Sequence, residues 1–377
     1  MPEVGGIFVS CGEASGDGYA AGVIKGLRDG GYDGAVCGML GPKAVAEGGE
    51  AVADYSELHI MGLKGVLAAL PRLVDLKRRL TEAVLARRPS AVVVIDSSDF
   101  HFPFIAGLRK GGWTRPVVYA VPPAVWAWRS WRVRFLARNV DLCLPLYRFE
   151  QDFLSERGVP SEWRGHPMVD LFPAVPTPPE AGNRTVALFP GSRGSEVDRL
   201  LPPLMDCADR LERAGYEAVF SLAPGLSSGA RERARAALRG RAVFEGEGAD
   251  LLARTACAAG ASGTLAVEAM MRDRFMTVLY RFGTLEAIVG WAMVRAPRVS
   301  IPNILAGEDV YPELIQGQAT GENTVRALLR YLGDEGERER THRALAAGRA
   351  AMGRSGAFLF WAERILALGA KRRAAGP

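Results

Sequence analysis

The chain has 377 residues, room for two domains of roughly 150 residues each, and its 48% hydrophobic and 24% charged content is that of an ordinary soluble globular protein. Disordered chains, fibrous repeats and disulfide-stapled miniproteins are excluded, and uncharged runs of about 13 residues, such as Pro116 to Trp128, fall short of the roughly 18 that span a bilayer. With 47 basic against 42 acidic residues the net charge is only +5, which permits a phosphate-bearing or membrane-surface partner without demanding one.

In chain order, strand-like runs end in glycine or small polar residues and pass into helical patterns. Ile7-Phe8-Val9 leads into Gly12-Glu-Ala-Ser-Gly-Asp17 and a helix over Tyr19 to Arg28. Met61 to Leu85 carries Leu63, Val66, Leu67, Leu70, Leu73, Val74, Leu80 and Val84 near helical spacing. Pro71 is expected to split it into two helices, because a proline inside a helix costs about 3 kcal/mol. Lys77, Arg78, Arg79, Arg87 and Arg88 line its later part, either as a solvated face or as a surface for anionic lipid. Ala91 to Ile95 runs into Asp96-Ser-Ser-Asp99 and a helix over Phe104 to Lys110, and Val117 to Tyr119 precedes a tryptophan-rich loop. Leu171 to Asn183, with four prolines, reads as a linker. The rhythm then resumes with strands at Thr185 to Phe189, Ala218 to Leu222 and Ala242 to Phe244. Leu285 to Val294 is apolar nearly all round, as a buried or a lipid-facing helix would be. Continuous β-branched runs between helices predict parallel sheets buried on both faces, hence two α/β halves.

Five scattered cysteines without a Cys-x-x-Cys pair, and an opening segment without a secretory pattern, lead us to expect reduced thiols and a cytoplasmic address. The four histidines lack metal-ligand spacing, and neither metal nor cofactor is expected.

Chemistry is predicted at strand-to-helix turns. Pro190-Gly-Ser-Arg193 joins a strand to a helix. Gly191 lets the backbone turn, Ser192 can cap, and Arg193 offers a bidentate cation, so the turn is either an anion site or a plain capped turn. Ser262, Gly263 and Thr264 repeat the pattern, with Glu268 one helical turn in, placed for sugar hydroxyls or for the helix dipole. Two such turns in one half point to a nucleoside diphosphate at the carboxyl edge of the sheet. The spacing of Gly16, Gly18 and Gly22 is one residue off a dinucleotide fingerprint, and no P-loop or Asp-x-Asp pair occurs. Asp96 and Asp99 end an apolar strand, as a general base or as helix caps, and His166 stands just before the linker.

At these residues the sequence resembles the lipid-A-disaccharide synthases, over nearly the whole chain. The matching strings are Gly12-Glu-Ala-Ser-Gly-Asp17, Met61-Gly-Leu63, Ile95-Asp-Ser-Ser-Asp-Phe100, Val125-Trp-Ala-Trp-Arg129, Gly165-His-Pro167 and Pro190-Gly-Ser-Arg193 with Glu196. Ala261-Ser-Gly-Thr264 with Glu268, Tyr280-Arg281, Ile301 to Gly307 and Pro312 to Gln316 follow in the family's order. The resemblance implies two Rossmann-like domains facing a central cleft, the GT-B type. Residues 1–172 would form an acceptor-side domain with a membrane-facing amphipathic segment, 184–345 a UDP-sugar domain, and 346–377 helices crossing back to the first domain.

The implied reaction joins UDP-2,3-diacylglucosamine to 2,3-diacylglucosamine 1-phosphate, giving a β-1,6-linked disaccharide 1-phosphate and UDP. Asp99 and Arg193 would be catalytic. Gly191, Ser192, Arg193, Ser262, Gly263, Thr264, Glu268, Arg281, Asn303, Glu313 and Gln316 would bind the UDP-sugar. Glu13, Ser15, Asp17, Asp96 and His166 would line the acceptor side. The stretch Met61 to Arg88 would rest on the cytoplasmic face of the inner membrane, and the fold permits a homodimer. Three departures fall on the acceptor side: His101 where the family has Asn, Val121-Pro122-Pro123-Ala124 where it has Val-Ser-Pro-Gln, and Gly18-Tyr19 in place of Leu-His. Two rival readings are an epimerase or hydrolase of UDP-sugars on the same scaffold and a non-enzymatic basic protein. A dispersed +5 gives no expectation of nucleic acid binding.

Overall fold

A computed structural model describes residues 5–58, 63–172, 176–177, 179–180, 182–283 and 298–374. The chain divides into two compact units, Met1–Asp170 with Arg354–Pro377, and Leu171–Gly353.

In the first unit the order is β1 (Ile7–Cys11), α1 (Ala14–Asp29), β2 (Val36–Leu40), α2 (Pro42–Ala46), β3 (Glu50–Asp54), α3 (Leu63–Arg87), β4 (Ala91–Ile95), α4 (Ser98–Lys110), β5 (Val117–Ala120), α5 (Val133–Asn139), β6 (Leu142–Leu144), α6 (Arg148–Ser155) and α7 (Met168–Leu171). The six strands pair in parallel in the order β3-β2-β1-β4-β5-β6. Every residue of β1 and β4 is buried, as strands covered on both faces must be.

The second unit holds β7 (Thr185–Phe189), α8 (Gly194–Arg213), β8 (Glu217–Ser221), α9 (Ser228–Ala237), β9 (Ala242–Phe244), α10 (Gly248–Ala253), β10 (Cys257–Ala261), α11 (Thr264–Met271), β11 (Phe275–Tyr280), α12 (Ile301–Ala306), β12 (Glu313–Ile315), α13 (Gly321–Gly333) and α14 (Glu335–Ala350). Its sheet runs β12-β11-β10-β7-β8-β9, so both sheets repeat the doubly wound order.

The last helix, α15 (Ala357–Ala374), belongs to the first unit and packs on α1. Gly22 and Gly26 make the seat: a Cβ at Gly22 would stand 2.2 Å from the Phe358 ring, and one at Gly26 2.6 Å from the Phe358 backbone. Trp361 is 1% exposed beside them, a burial worth about 4–6 kcal/mol on transfer alone. Gly22 is thus a helix-packing glycine.

Two expectations change. α1 begins at Ala14, so Ser15 and Asp17 sit in its first turn and the loop after β1 is only Gly12 and Glu13. α3 runs through Pro71 as one helix. Pro71 lies on the exposed side, where water can meet the carbonyl it leaves without a donor, while Leu76, Leu80 and Val84 are wholly buried and hold the helix down. Met61, Gly62 and Leu285 to Val294 lie outside the described residues. Among the described residues no helix is long and apolar enough to cross a membrane.

Candidate active site

In the second unit, β7 and β10 are neighbours with Phe189 opposite Gly260, and strand order reverses direction between them. Ligands of doubly wound sheets bind outside the carboxyl ends of strands at such a point. The turns after these strands, 190–193 and 262–263, therefore adjoin. Gly191 has φ +124, and a Cβ there would stand 2.6 Å from the Glu196 Cβ. Gly260 has φ +151, and its Cβ would meet the Phe189 oxygen at 2.1 Å. Neither position accepts a larger residue.

The anion expected at the start of α8 is supplied by the chain itself. Glu196 Oε2 accepts from the N–H groups of Ser192 at 3.1 Å and Arg193 at 3.3 Å, and Oε1 from Arg193 Nη1 at 3.1 Å. A carboxylate thus occupies amides that suit a phosphate. The Arg193 side chain remains 69% exposed. In the second turn, Tyr280 donates to Ser262 Oγ at 2.6 Å, and burial pushes the Tyr280 phenol up, so it stays a donor. Gly263 precedes the first residue of α11, Thr264, which is exposed, and Glu268 lies half-buried one turn along.

The ends of β11 and β12 add Arg281, which donates to the Arg199 carbonyl at 3.4 Å, and Gln316, whose Oε1 accepts from Phe282 N at 2.8 Å. Asn303 and Glu313 are drawn into an internal network. Glu313 Oε1 accepts from Ser300 N at 2.7 Å and Asn303 Nδ2 at 3.0 Å, and Asn303 also exchanges bonds with the Tyr311 backbone. These two hold the start of α12 against β12; their polar atoms are spent within the fold.

In the first unit β1 and β4 stand at the same kind of reversal, with Cys11 opposite Ile95. Gly12 passes so close to the β4–α4 turn that a Cβ there would lie 1.9 Å from Ser97 Oγ. Glu13 stands at the N-terminal boundary of α1, and its Oε1 accepts from Ser15 Oγ at 3.0 Å. Asp17, 1% exposed, accepts from the N–H groups of Gly41, Lys43 and Ala44, so its carboxylate anchors α2 and is not presented to a ligand. His166 is likewise internal: burial lowers its pKa to about 3, and its Nδ1 accepts from Met168 N at 3.0 Å.

The β4–α4 turn is strained. Asp96 and Ser97 both take left-handed backbone, φ 60 and 42, at about 1–2 kcal/mol each. Their restraint comes from the Asp96 carbonyl, which accepts from Tyr119 Oη at 2.7 Å and His101 Nδ1 at 2.8 Å. Since a carbonyl only accepts, the proton is on Nδ1, and Nε2 accepts from the Ser10 hydroxyl at 2.9 Å. Burial holds His101 neutral, its pKa down to about 4. The turn presents Asp99, whose side chain is 79% exposed. Asp99 Oδ1 meets Arg129 Nη1 at 3.2 Å and also Arg132 Nη2. Sequence reading left both arginines without a role; their signal is a spacing of three residues directly after a tryptophan-rich loop. That loop is pinned by Trp126 Nε1, which donates at 3.0 Å to Glu150, a buried acid whose pKa is pushed up to about 7.

With both edges laid out, comparison with known proteins is direct. Residues 7–354 match the family model for lipid-A-disaccharide synthetase. The chain belongs to this family. The lipid-A-disaccharide synthase of Myxococcus xanthus (strain DK1622) is 36% identical over 376 residues, covering 96% of this chain and 97% of that one. Among solved structures, UDP-GlcNAc 2-epimerase from Neisseria meningitidis bound to UDP-GlcNAc superposes with a TM-score of 0.65 at 12% identity, covering 96% of this chain and 100% of that one. The calicheamicin glycosyltransferase CalG4 gives 0.60 at 17%, covering 97% and 98%. At such identities these two speak for the fold alone. Membership in the lipid-A-disaccharide synthase family makes the chain a glycosyltransferase of lipid A biosynthesis and sets aside the epimerase reading.

Proposed function

We propose that the protein transfers a 2,3-diacylglucosamine unit from its UDP donor to the 6-hydroxyl of 2,3-diacylglucosamine 1-phosphate. The observation that carries this reading is the family match over residues 7–354. The adjoining turns after β7 and β10 support donor binding in the second unit. There Arg193, Ser262, Gly263 and Thr264 hold the diphosphate, and Glu268 accepts from the ribose hydroxyls. Arg281 and Gln316 flank them, while Asn303 and Glu313 support the edge from within.

In the first unit Asp99 takes the proton from the acceptor's O6. As the O6–C1 bond forms, the bond from C1 to the diphosphate oxygen breaks, and UDP leaves with the electron pair. Attack opposite the leaving group inverts the anomeric centre. Arg193 offsets the charge that grows on UDP, the kind of fixed electrostatic help worth about 3–4 kcal/mol per donor.

Because both substrates carry acyl chains, each buried CH₂ being worth about 0.8 kcal/mol, we place the enzyme at the cytoplasmic face of the inner membrane, on α3. Leu70 and Val74 are exposed there. The basic face is partly self-neutralised: Arg78 pairs with Asp75 and Glu82, and Arg87 with Glu50. Contact is therefore expected to be mainly apolar. Flotation with liposomes should show binding that persists without anionic lipid.

The test of the reaction is acceptor-dependent release of UDP with formation of disaccharide 1-phosphate. Epimerisation of UDP-N-acetylglucosamine without transfer would refute it.

A further inference from the structure

Beside Asp99 the first unit carries more positive charge than that carboxylate can use. Arg132 is 8% exposed, yet it carries a full charge into the protein. Its Nη1 donates to Ser98 Oγ at 2.8 Å and its Nη2 to Asp99, while its Nε is buried with no hydrogen-bond partner among the described residues. Arg129 approaches the same Asp99 oxygen from a left-handed backbone, φ 50, with its guanidinium 4.3 Å from the Trp128 ring centre. Two guanidiniums therefore share one carboxylate oxygen, and Asp99 Oδ2 accepts nothing among the described residues. Each terminal nitrogen of Arg132 carries a second N–H beyond the bond it makes, and beside a second cation held on an aromatic face this fits a planar, bidentate hold on phosphate.

We propose that Arg129 and Arg132 form the subsite for the acceptor's sugar-1-phosphate. The proposal rests on the glycosyl-transfer reading, and sugar chemistry gives it its place. In a glucosamine 1-phosphate the phosphate is on C1 and the reacting hydroxyl on C6, which is attached to C5. C1 and C5 are both bonded to the ring oxygen, so the phosphate and O6 project from the same edge of the sugar. Any group that takes the proton from O6 must have the phosphate's partners close by, and the two arginines stand beside Asp99. Trp131, 64% exposed and with Arg132 Cζ 5.6 Å from its ring centre, gives the sugar a flat apolar neighbour. When phosphate draws donors from both guanidiniums, it relieves Asp99 of part of its ion pairing as the acceptor arrives.

The test compares initial rates with 2,3-diacylglucosamine 1-phosphate and with the same lipid lacking phosphate. It uses the unaltered protein, Arg129→Gln, Arg132→Lys and, as a control for charge alone, Arg134→Gln at an exposed position two residues along. The unaltered protein should prefer the phosphorylated acceptor. In Arg129→Gln that preference in kcat/KM should fall about ten- to hundred-fold, the scale of a lost charge-assisted bond. The loss should appear in the acceptor's KM and leave the donor's KM within about twofold. Arg132→Lys should lose part of the preference, because an ammonium cannot supply the fork, and Arg134→Gln should keep it. If Arg132→Lys does not fold, as thermal melting would report, Arg129→Gln decides. Preference retained in Arg129→Gln, an equal loss in Arg134→Gln, or a shift in the donor's KM instead would overturn the phosphate subsite. No transfer to either acceptor by the unaltered protein would overturn the glycosyltransferase reading itself.

Discussion

His101 Nδ1 lies 2.8 Å from the backbone oxygen of Asp96, and this bond joins the first turn of α4 to the end of β4. It holds the left-handed pair that aims Asp99 outward. The imidazole serves there as donor and acceptor at once, which only its neutral form can do. At a position where the family resemblance gives Asn, His101 therefore keeps a donor toward the turn.

That arrangement makes the first unit sensitive to acid. Burial depresses the His101 pKa to about 4 from an ordinary value near 6.5. A depressed pKa contributes stability that is complete above pH 6.5 and is lost as pH falls through 4. The loss should reach about 3 kcal/mol. His101→Asn should flatten the fall in unfolding free energy between pH 6.5 and 4, measured by denaturant titration. An unchanged pH profile would show that His101 does not contribute to the fall and would leave it to His166, whose pKa burial also lowers.

Glu196 makes a second, separate prediction. Its carboxylate occupies the Ser192 and Arg193 amides that a diphosphate would use. Like charges at such distances near a protein surface cost about 1–4 kcal/mol. Glu196→Gln should therefore bind UDP about five- to tenfold tighter by calorimetry, while α8 loses about 0.5–1 kcal/mol of capping. Weaker UDP binding would mean that Glu196 orders Arg193 and does not compete with the ligand.

The two glycines around β10 should respond unequally. Gly260→Ala drives a Cβ to 2.1 Å from the Phe189 oxygen, in the neighbouring strand. It should cost about 3 kcal/mol or more in a denaturant melt. Gly263, with φ +121 and nothing within 4 Å of an added Cβ, should cost only the backbone strain of about 1–3 kcal/mol. Equal losses would contradict this difference in crowding.

Much of this was legible in the residues, and what was not has physical causes. The runs at Ala91 to Ile95 and Thr185 to Phe189 are β-branched or apolar throughout and form β4 and β7 as read. β10 is implied only by the turn that follows it, because Cys257-Ala-Ala-Gly-Ala261 has no β-branched residue; its small side chains suit a central strand pressed against β7 and β11. β3 was missed because Glu50-Ala-Val-Ala-Asp54 is mostly exposed at the sheet edge, where packing puts little demand on sequence. At the site, sequence nominates His166 by its place just before the linker, and Asp17, Asn303 and Glu313 through the family resemblance alone. It could not show that backbone amides and internal partners consume their hydrogen bonds. Nor could it show that Arg129 and Arg132 converge on Asp99 from a separate loop, because only the fold brings residues about 30 positions apart together.

The division of labour between Asp99 and Arg193 is best tested by one measurement, single-turnover transfer by Asp99→Asn with UDP affinity measured on the same preparation. Asn keeps the size and an acceptor oxygen but cannot take the proton from O6. Transfer should fall about 10²- to 10⁴-fold while UDP binds as in the unaltered protein. Transfer within about threefold of the unaltered rate, or a matching loss of UDP affinity, would contradict the assignment of Asp99 as the base.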